Sequence, residues 1–320
     1  MNVIAKAALA VVLLATASLA FAQAYPNKPV RIVVAYQAGQ GTDVAARYLA
    51  EQLTKGLGQP FFVENKPGAG GNLGTDIAAH AAPDGYTLTM GTNATHGTNQ
   101  FLYPNMSFDA EKDFEPIMLI GSFPMVVSVN ASSPINSVAD LVNAAKAKAN
   151  SADIAMPSTT ARIVFELLKA QSHAPLFGVP YKGSATAIGD VMGGQLPVLI
   201  DTVTATKPFV TAGKIKAIAV TSQKPTELLP GVKPVAEQGL PGFEVIAWNA
   251  LYAPKGTPRE VVATLNAELN KILAQPETRA KLLSLGFDVG GGTPEQLAEF
   301  GRSERRKWGP LIQAAGMKAE

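Results

Sequence analysis

The sequence predicts an α/β protein made of two α/β domains that are joined by two strands. Short β-branched apolar runs alternate with amphipathic helical patterns along the chain, which is typical of a mostly parallel sheet with helices on both faces. A long apolar segment, Phe243–Ala253, follows after a second series of such units is complete. An inserted second domain, with crossing strands near Val126–Val129 and Val245–Tyr252, explains this order and provides a hinge.

The first residues have the pattern of a cleaved export signal. Lys6 precedes the apolar run Ala7–Leu19, and residues 20–22 form an A-x-A cleavage motif, so the mature chain is expected to begin near Gln23. No later segment reaches about eighteen uninterrupted apolar residues, so no stable membrane insertion is expected. The 320 residues include no cysteine, which suits an oxidising compartment and excludes disulfides and thiolate chemistry. The expected location is the periplasm.

The first strand–loop–helix unit is a candidate anion site. Val30–Val34 predicts a buried strand, Tyr36–Gly41 a polar loop, and Thr42 the N-cap of a helix. A helix start presents unpaired backbone N–H groups at the positive end of its dipole, where an anion is stabilised. The first βα unit of any α/β domain would show the same pattern, so that interpretation stays open.

A glycine cluster, Pro67–Thr75, follows the predicted strand Pro60–Glu64. Its spacing, G-x-G-x-x-x-G, is one residue too long for a dinucleotide fingerprint, and no Lys-Ser/Thr pair completes a phosphate loop. We interpret the cluster as the turn before a helix, Asn72–Ala82.

A polar loop, Gly91–Asn99, follows the predicted strand Tyr86–Met90. Thr92 and Asn93 supply donors and acceptors there without permanent charge. Because ligands of open α/β sheets bind at the carboxyl ends of strands, this loop is a second candidate segment. Two short strands, Ile117–Ile120 and Met125–Val129, follow it.

The second half repeats the alternation. Ser137 is the expected cap of its first helix, and the hydroxyl-rich loop Pro157–Thr160 opens its second. The predicted elements are the helices Val138–Ala149, Ala161–Gln171 and Ala185–Met192 and the strands Ile154–Met156, Leu176–Tyr181, Gln195–Asp201 and Ile215–Val220. Three more helices are predicted at Pro258–Ala274, Pro276–Leu285 and Pro294–Gln313.

These elements divide the chain into a signal peptide, residues 1–22, a first domain, residues 23–125 plus 248–320, and a second domain, residues 126–247. One continuous domain of about three hundred residues is the alternative, although it exceeds the usual size of a single core.

Several motifs resemble those of the exported solute-binding proteins of tripartite tricarboxylate transporters, also called the Bordetella uptake gene family. The matching stretches cover almost the whole mature chain: residues 25–31 (YPNKPVR), 63–71 (VENKPGAGG), 83–88 (PDGYTL), 113–114 (DF), 179–183 (VPYKG), 212–214 (AGK), Trp248 and 253–258 (APKGTP).

The resemblance implies a periplasmic binding protein fold of type II-like architecture that closes on a small carboxylate and delivers it to membrane transporter subunits. It places the grip in two loops, Tyr36–Asp43 and Met156–Thr160, with Asp201 facing the cleft. Both loops depart from the family pattern. Gln40 replaces a glycine of the first loop, and Arg162 stands where the second loop usually has a histidine.

An anion grip needs hydrogen-bond donors rather than catalytic bases. Arg162 could pair with a second carboxylate. An aromatic acid could stack on a wall of Tyr36, Phe177, Tyr181 and Trp248, although core packing is the alternative for Phe177 and Trp248. Helix capping is the alternative for Thr42, Asp43 and Thr160. The candidate ligand-binding residues are Tyr36, Gln37, Ala38, Gly39, Gln40, Thr42, Asp43, Thr92, Asn93, Ser158, Thr159, Thr160, Arg162, Tyr181 and Asp201.

Other classes of function fit the sequence poorly. The three histidines lie outside G-x-S-x-G and H-E-x-x-H contexts, metal ligands are not clustered, and no cofactor is expected. No basic stripe with interleaved aromatics predicts a nucleic-acid partner. The sequence therefore predicts a monomeric, non-catalytic receptor for a di- or tricarboxylate or an aromatic acid. A periplasmic sensor for a two-component system and a secreted hydrolase remain the alternatives.

Overall fold

The computed structural model describes residues 25–148, 150–314 and 316–318. The predicted signal peptide, residues 1–22, lies outside this part of the chain. Among the described residues, no helix combines the length and the apolar character needed to cross a bilayer.

Ten strands of the described chain form one continuous mixed sheet. They are β1 (Val30–Val34), β2 (Phe61–Asn65), β3 (Thr87–Thr92), β4 (Phe114–Asn130), β5 (Ile154–Met156), β6 (Gly178–Pro180), β7 (Val198–Thr202), β8 (Ile215–Val220), β9 (Ile246–Pro254) and β10 (Asp288–Gly291). The strand order is β2-β1-β3-β9-β4-β7-β5-β6, and β8 and β10 also pair with β4.

Helices connect and cover these strands. They are α1 (Gly41–Leu57), α2 (Asn72–Ala79), α3 (Asn99–Leu102), α4 (Val138–Ala147), α5 (Thr159–Ser172), α6 (Ser184–Met192), α7 (Val203–Thr211), α8 (Arg259–Ala274), α9 (Pro276–Ser284) and α10 (Pro294–Ala314). The expected cap of α4 is confirmed, since the Ser137 hydroxyl accepts a hydrogen bond from the backbone N–H of Asp140 at 3.1 Å.

The long strand β4 joins the two parts of the sheet. Its first portion, Phe114–Pro124, pairs with β9, and its second, Met125–Asn130, pairs with β7 and β8. The prediction of two separate short strands here was wrong. The register shifts near Pro116 and Leu119 accommodate irregular residues without ending the strand, and most of its side chains are buried.

The predicted parallel pairing is found only among the strands on either side of the central pair, β9 and β4. β1 is parallel to β2 and β3, and β5 is parallel to β6 and β7. β9 is antiparallel to β3 and β4, and β4 is antiparallel to β7 and β8. The reason is that β4 and β9 carry the chain between the two parts in opposite directions, whereas parallel neighbours are joined by helical crossovers.

Residues 94–98 form a π-helical turn where a polar loop was predicted. Its side chains are buried, and only some of their polar atoms are paired, since Nε2 of His96 and Oγ1 of Thr98 have no hydrogen-bond partner. The Thr95 hydroxyl bonds the Thr92 backbone N–H at 3.1 Å, and His96 stacks on Tyr252 with ring centroids 4.1 Å apart. Helix α7 contains Pro208 and starts well before the short segment Pro208–Ala212 that the sequence marked ahead of Gly213, and the glycine-rich strand β10 was not predicted.

The polar segments that end β1 and β3 face those that end β5 and β7 near the middle of β4, where its two portions join. Three of these strands lead directly into helices, β1 into α1, β5 into α5 and β7 into α7. Buried apolar side chains, among them Val30, Ile32, Ile154 and Val198, fix these strands in the core. The helix starts are thereby held in place around the region described next.

Candidate functional site

Two adjoining cavities lie where these segments meet. The large cavity, of about 470 Å³, is bounded by residues 35–37, 40, 67–71 and 102–103 on one side and by residues 156–159, 162 and 180–182 on the other. The small cavity, of about 40 Å³, has room for a carboxylate group or a few water molecules. Tyr36, Gln40 and Ser158 line both cavities, so the small cavity continues the large one into the protein.

The small cavity is surrounded by the first residues of four helices. Gly41 and Thr42 come from α1, Ser158 and Thr160 from α5, Ser184 from α6 and Thr202 from α7. The opening backbone N–H groups of each helix lack intrahelical partners and carry the positive end of the helix dipole. Four such ends around one small space favour an anion there.

On the first wall, the sequence-based assignment of Thr42 as the N-cap was wrong. Helix α1 starts at Gly41, two residues earlier than a Thr42 cap implies, and its N-cap is Gln40, whose side chain makes no capping bond. Thr42 lies inside the first turn, where its hydroxyl accepts a hydrogen bond from Asn249 Nδ2 at 3.1 Å. The backbone of Gln40 is extended, and its side-chain amide reaches the opposite wall. Its Nε2 atom lies 3.5 Å from the Ser184 hydroxyl.

On the second wall, Ser158 rather than Thr160 is the N-cap of α5, and its hydroxyl accepts from the backbone N–H of Ala161 at 3.2 Å. Capping was the alternative to ligand binding for Thr160, but its hydroxyl accepts a hydrogen bond from Asn93 Nδ2 at 2.9 Å. This bond links a residue after β3 to a residue after β5, and thus joins the two sides of the cleft.

The two walls are in close contact across the small cavity. A Cβ atom placed on Gly41 would lie 3.1 Å from Cβ of Thr204, which is tighter than normal packing. A Cβ atom on Gly70 would lie 2.5 Å from the Tyr103 hydroxyl and 2.9 Å from Oγ1 of Thr159. Glycine therefore allows the walls to approach each other closely, at the small cavity through Gly41 and at the large cavity through Gly70.

Asp201 is the only acidic residue among those that line the small cavity. Its side chain is 2% exposed, and Oδ1 accepts a hydrogen bond from the Thr202 backbone N–H at 2.7 Å. Burial raises the pKa of this carboxyl to about 6, although hydrogen bonds from Ser184 and Thr202 act in the opposite direction. Oδ2 of Asp201 and Oδ1 of Asn249 have no hydrogen-bond partner. Buried acceptors without a donor are costly, so a molecule in this cavity that donates a hydrogen bond to them would be stabilised.

The large cavity is lined by two cations and, among the described residues, by no carboxylate. Arg162 and Lys182 both lie on the side formed by α5 and the segment after β6. Three tyrosines, Tyr36, Tyr103 and Tyr181, also line it. Burial raises the pKa of Tyr36 to about 12, and burial together with the Asp190 carboxylate does the same for Tyr181, so both phenols stay neutral at physiological pH. The cavity thus combines positive charge with apolar and aromatic surface.

Twelve of the fifteen predicted site residues line one of the two cavities. They are Tyr36, Gln37, Gln40, Thr42, Thr92, Asn93, Ser158, Thr159, Thr160, Arg162, Tyr181 and Asp201. Ala38 and Gly39 are exposed outside the cavities. Asp43 points away from them, because its carboxylate accepts hydrogen bonds from the Gly39 backbone, Arg47 and Asn65.

Two proposed members of an aromatic wall lie elsewhere. Phe177 is 62% exposed, so it belongs neither to a ligand-binding wall nor to the core. Trp248 is buried in the core, where its Nε1 donates to Glu304 at 3.0 Å.

Sequence reasoning missed several residues of the cavities. The turn 67–71 lines the large cavity, so its glycines serve close approach as well as chain reversal. Lys182, Tyr103, Ser184 and Asn249 were also missed. Only two of these segments carry a local sequence pattern, the glycine cluster and Lys182-Gly183-Ser184 at the start of α6. In both, the pattern indicates only a turn. Within the described chain, no three His, Asp or Glu side chains gather to hold a metal ion.

Comparisons with known proteins show the family and the fold. A family model described as tripartite tricarboxylate transporter family receptor matches residues 45–317. The chain is 31% identical to the protein BugT of Bordetella pertussis, over 99% of each chain.

Two solved structures are similar along nearly the full length. R. palustris Rpa4515 with adipate has a TM-score of 0.88 and 34% identity, covering 92% of this chain and 99% of that one. MatC (Rpa3494) from Rhodopseudomonas palustris with bound malate has a TM-score of 0.83 and 32% identity, covering 90% of this chain and 100% of that one.

Proposed function

The chain belongs to the tripartite tricarboxylate transporter receptor family, whose members are non-catalytic solute receptors, and we propose that it binds a small dicarboxylate between its two halves. The observation that carries this proposal is the convergence of four helix starts on the small cavity, beside a large cavity with two cations. One carboxylate would occupy the small cavity, and the second would lie near Arg162 and Lys182.

Hydrogen bonds to ionised groups make this arrangement strong enough for a receptor. Each bond to a charged oxygen contributes about 1.5–3 kcal/mol, and micromolar affinity requires about 8 kcal/mol. Several backbone N–H groups at the helix starts, with the hydroxyls of Ser158 and Thr160 nearby, suffice in number. Two relatives of similar structure bind adipate and malate, which are both dicarboxylates.

The proposed function includes export and delivery. The chain would be exported to the periplasm by its predicted signal peptide, bind as a monomer and pass the ligand to transporter subunits in the membrane. Residues 23–125 with 248–320 would form one domain and residues 126–247 the other, with β4 and β9 as the hinge. Because the ligand contacts both walls, it favours the closed state over the open one.

An aromatic acid is the second candidate ligand. The tyrosines Tyr36, Tyr103 and Tyr181 in the large cavity offer a surface on which an aromatic ring could stack. The two cations favour the dicarboxylate, since an aromatic monocarboxylate leaves them without a partner.

A thermal-shift screen of the mature protein tests this proposal. The panel contains aliphatic and aromatic mono-, di- and tricarboxylates, with the corresponding neutral diamides as controls. We expect a dicarboxylate at about a hundred times its Kd to raise the melting temperature by about 5 °C, because binding to the folded state alone adds about 2.7 kcal/mol. Shifts by diamides equal to those by dicarboxylates, or no shift by any carboxylate, would refute it.

A further inference from the structure

The small cavity combines an anion-favouring frame with a buried acid. Four helix starts surround it, yet one of the side chains that line it is the carboxyl of Asp201. Oδ2 of Asp201 has no hydrogen-bond partner, and the side chain is almost fully buried. A carboxylate ligand in this cavity would therefore lie beside a second carboxyl group that no cation neutralises.

Every other residue that lines this cavity is uncharged, and the phenol of Tyr36 is the one other titratable group among them. The lining groups are Gly41 and Thr42 of α1, Thr92 and Asn93 at the end of β3, Phe123 of β4, Ser158 and Thr160 at the start of α5, Ser184 of α6, Thr202 at the start of α7, Ala247 and Asn249 of β9, and Gln40. The pKa of Tyr36 is raised to about 12, so it remains neutral. Asp43 is held by Arg47 and Asn65, and Arg162 and Lys182 line only the large cavity.

We propose that this receptor takes up one proton on Asp201 when it binds its carboxylate ligand. The proton comes from solvent and no covalent bond of the ligand changes. Protonated Oδ2 then donates a hydrogen bond to the ligand carboxylate, or to a water molecule that bridges to it. The proposal rests on the proposed function and adds to it a dependence of affinity on pH.

The direction of this dependence follows from the burial of Asp201. Without ligand, burial already raises the pKa of the Asp201 carboxyl to about 6. An anion bound beside it disfavours the charged form and raises that pKa further. A group whose pKa rises on binding strengthens binding below its free pKa, and the gain is lost as the pH rises above it. Affinity should therefore fall between pH 6.5 and 8.5, where ordinary ligand carboxylates stay ionised.

Titration calorimetry with the mature protein tests this inference, with adipate, malate and the best ligand of the thermal-shift panel as probes. We expect the Kd to rise roughly 30-fold from pH 6.5 to pH 8.5. At pH 7.5, measurements in two buffers of different ionisation enthalpy should show the uptake of close to one proton per ligand bound.

Two variants locate the proton. Asp201→Asn keeps the size of the side chain and is always a neutral donor, so it should abolish proton uptake, remove the pH dependence and bind more tightly than the wild type at pH 8.5. Asp153→Asn is the matched control, because Asp153 precedes β5 at the end away from the cavities and burial also raises its pKa. This control should keep the wild-type profile.

The outcomes separate the two proposals. Carboxylate binding without pH dependence, or with the same dependence in Asp201→Asn, would overturn the coupling and leave the receptor function intact. If the Asp201→Asn variant binds more weakly than the wild type at every pH, Asp201 acts as an ionised hydrogen-bond acceptor. That result would also overturn the coupling. If no carboxylate binds at any pH, the proposed function itself fails and the coupling fails with it.

Discussion

Replacing Gly41 with valine is expected to weaken ligand binding about five- to a hundredfold without unfolding the protein. Gly41 begins α1, and an added Cβ would lie 3.1 Å from Cβ of Thr204 and 3.4 Å from Oγ1 of Thr202, both on the opposite wall. The larger side chain would keep the two walls apart, and overpacking of this kind costs about 1–3 kcal/mol. Each 1.4 kcal/mol that opposes closure reduces the affinity about tenfold.

Gly189→Ala is the matched control for this substitution. Gly189 lies in α6, and nothing lies within 4 Å of a Cβ added there. Calorimetric Kd values for the best dicarboxylate, together with melting temperatures, should show a loss of affinity in Gly41→Val alone and little change in the stability of either ligand-free variant. An unchanged Kd for Gly41→Val would mean that ligand binding does not require the close approach seen here.

Replacing Arg162 with glutamine is expected to weaken dicarboxylate binding by about ten- to a hundredfold. Its guanidinium lines the large cavity, and a charged hydrogen bond to the second carboxylate contributes about 1.5–3 kcal/mol. A monocarboxylate of the same chain length lacks that second group, so its Kd should change by less than about threefold in the variant. This difference between two ligands separates a direct contact from a general disturbance of the cleft.

The control for Arg162→Gln is Arg279→Gln, which removes an exposed guanidinium on α9, away from both cavities. Calorimetry with the paired mono- and dicarboxylates should give wild-type values for Arg279→Gln. Equal losses for both ligands in Arg162→Gln would contradict a contact with the second carboxylate.

Features set by local pattern could be predicted from the sequence. Val30–Val34 is a buried strand, as its β-branched run predicts, and Ser137 caps α4, as predicted. Both features depend on only a few neighbouring residues. The exact start of α1 depends on more distant contacts. Thr42 looks like an N-cap by itself, but Asn249 on β9 engages its hydroxyl, and the helix begins before it.

The small cavity could not be derived from local pattern. It is assembled from seven separate segments, near residues 41, 92, 123, 158, 184, 201 and 249, which the strand order β3-β9-β4-β7 brings together. That order depends on the long strand β4, whose prolines, Pro116 and Pro124, indicated interruptions in the sequence. The burial of Asp201 depends on the same assembly, so the sequence could place it near the cleft but could not establish its raised pKa.

A crystal structure of the mature protein with its most stabilising carboxylate tests the central claim most directly. We predict that one carboxylate group occupies the small cavity and receives hydrogen bonds, directly or through one water molecule, from backbone N–H groups at the starts of α1, α5, α6 or α7. The second carboxylate should lie within reach of Arg162. A ligand bound outside both cavities, or a ligand whose carboxylate avoids the helix starts, would contradict the account.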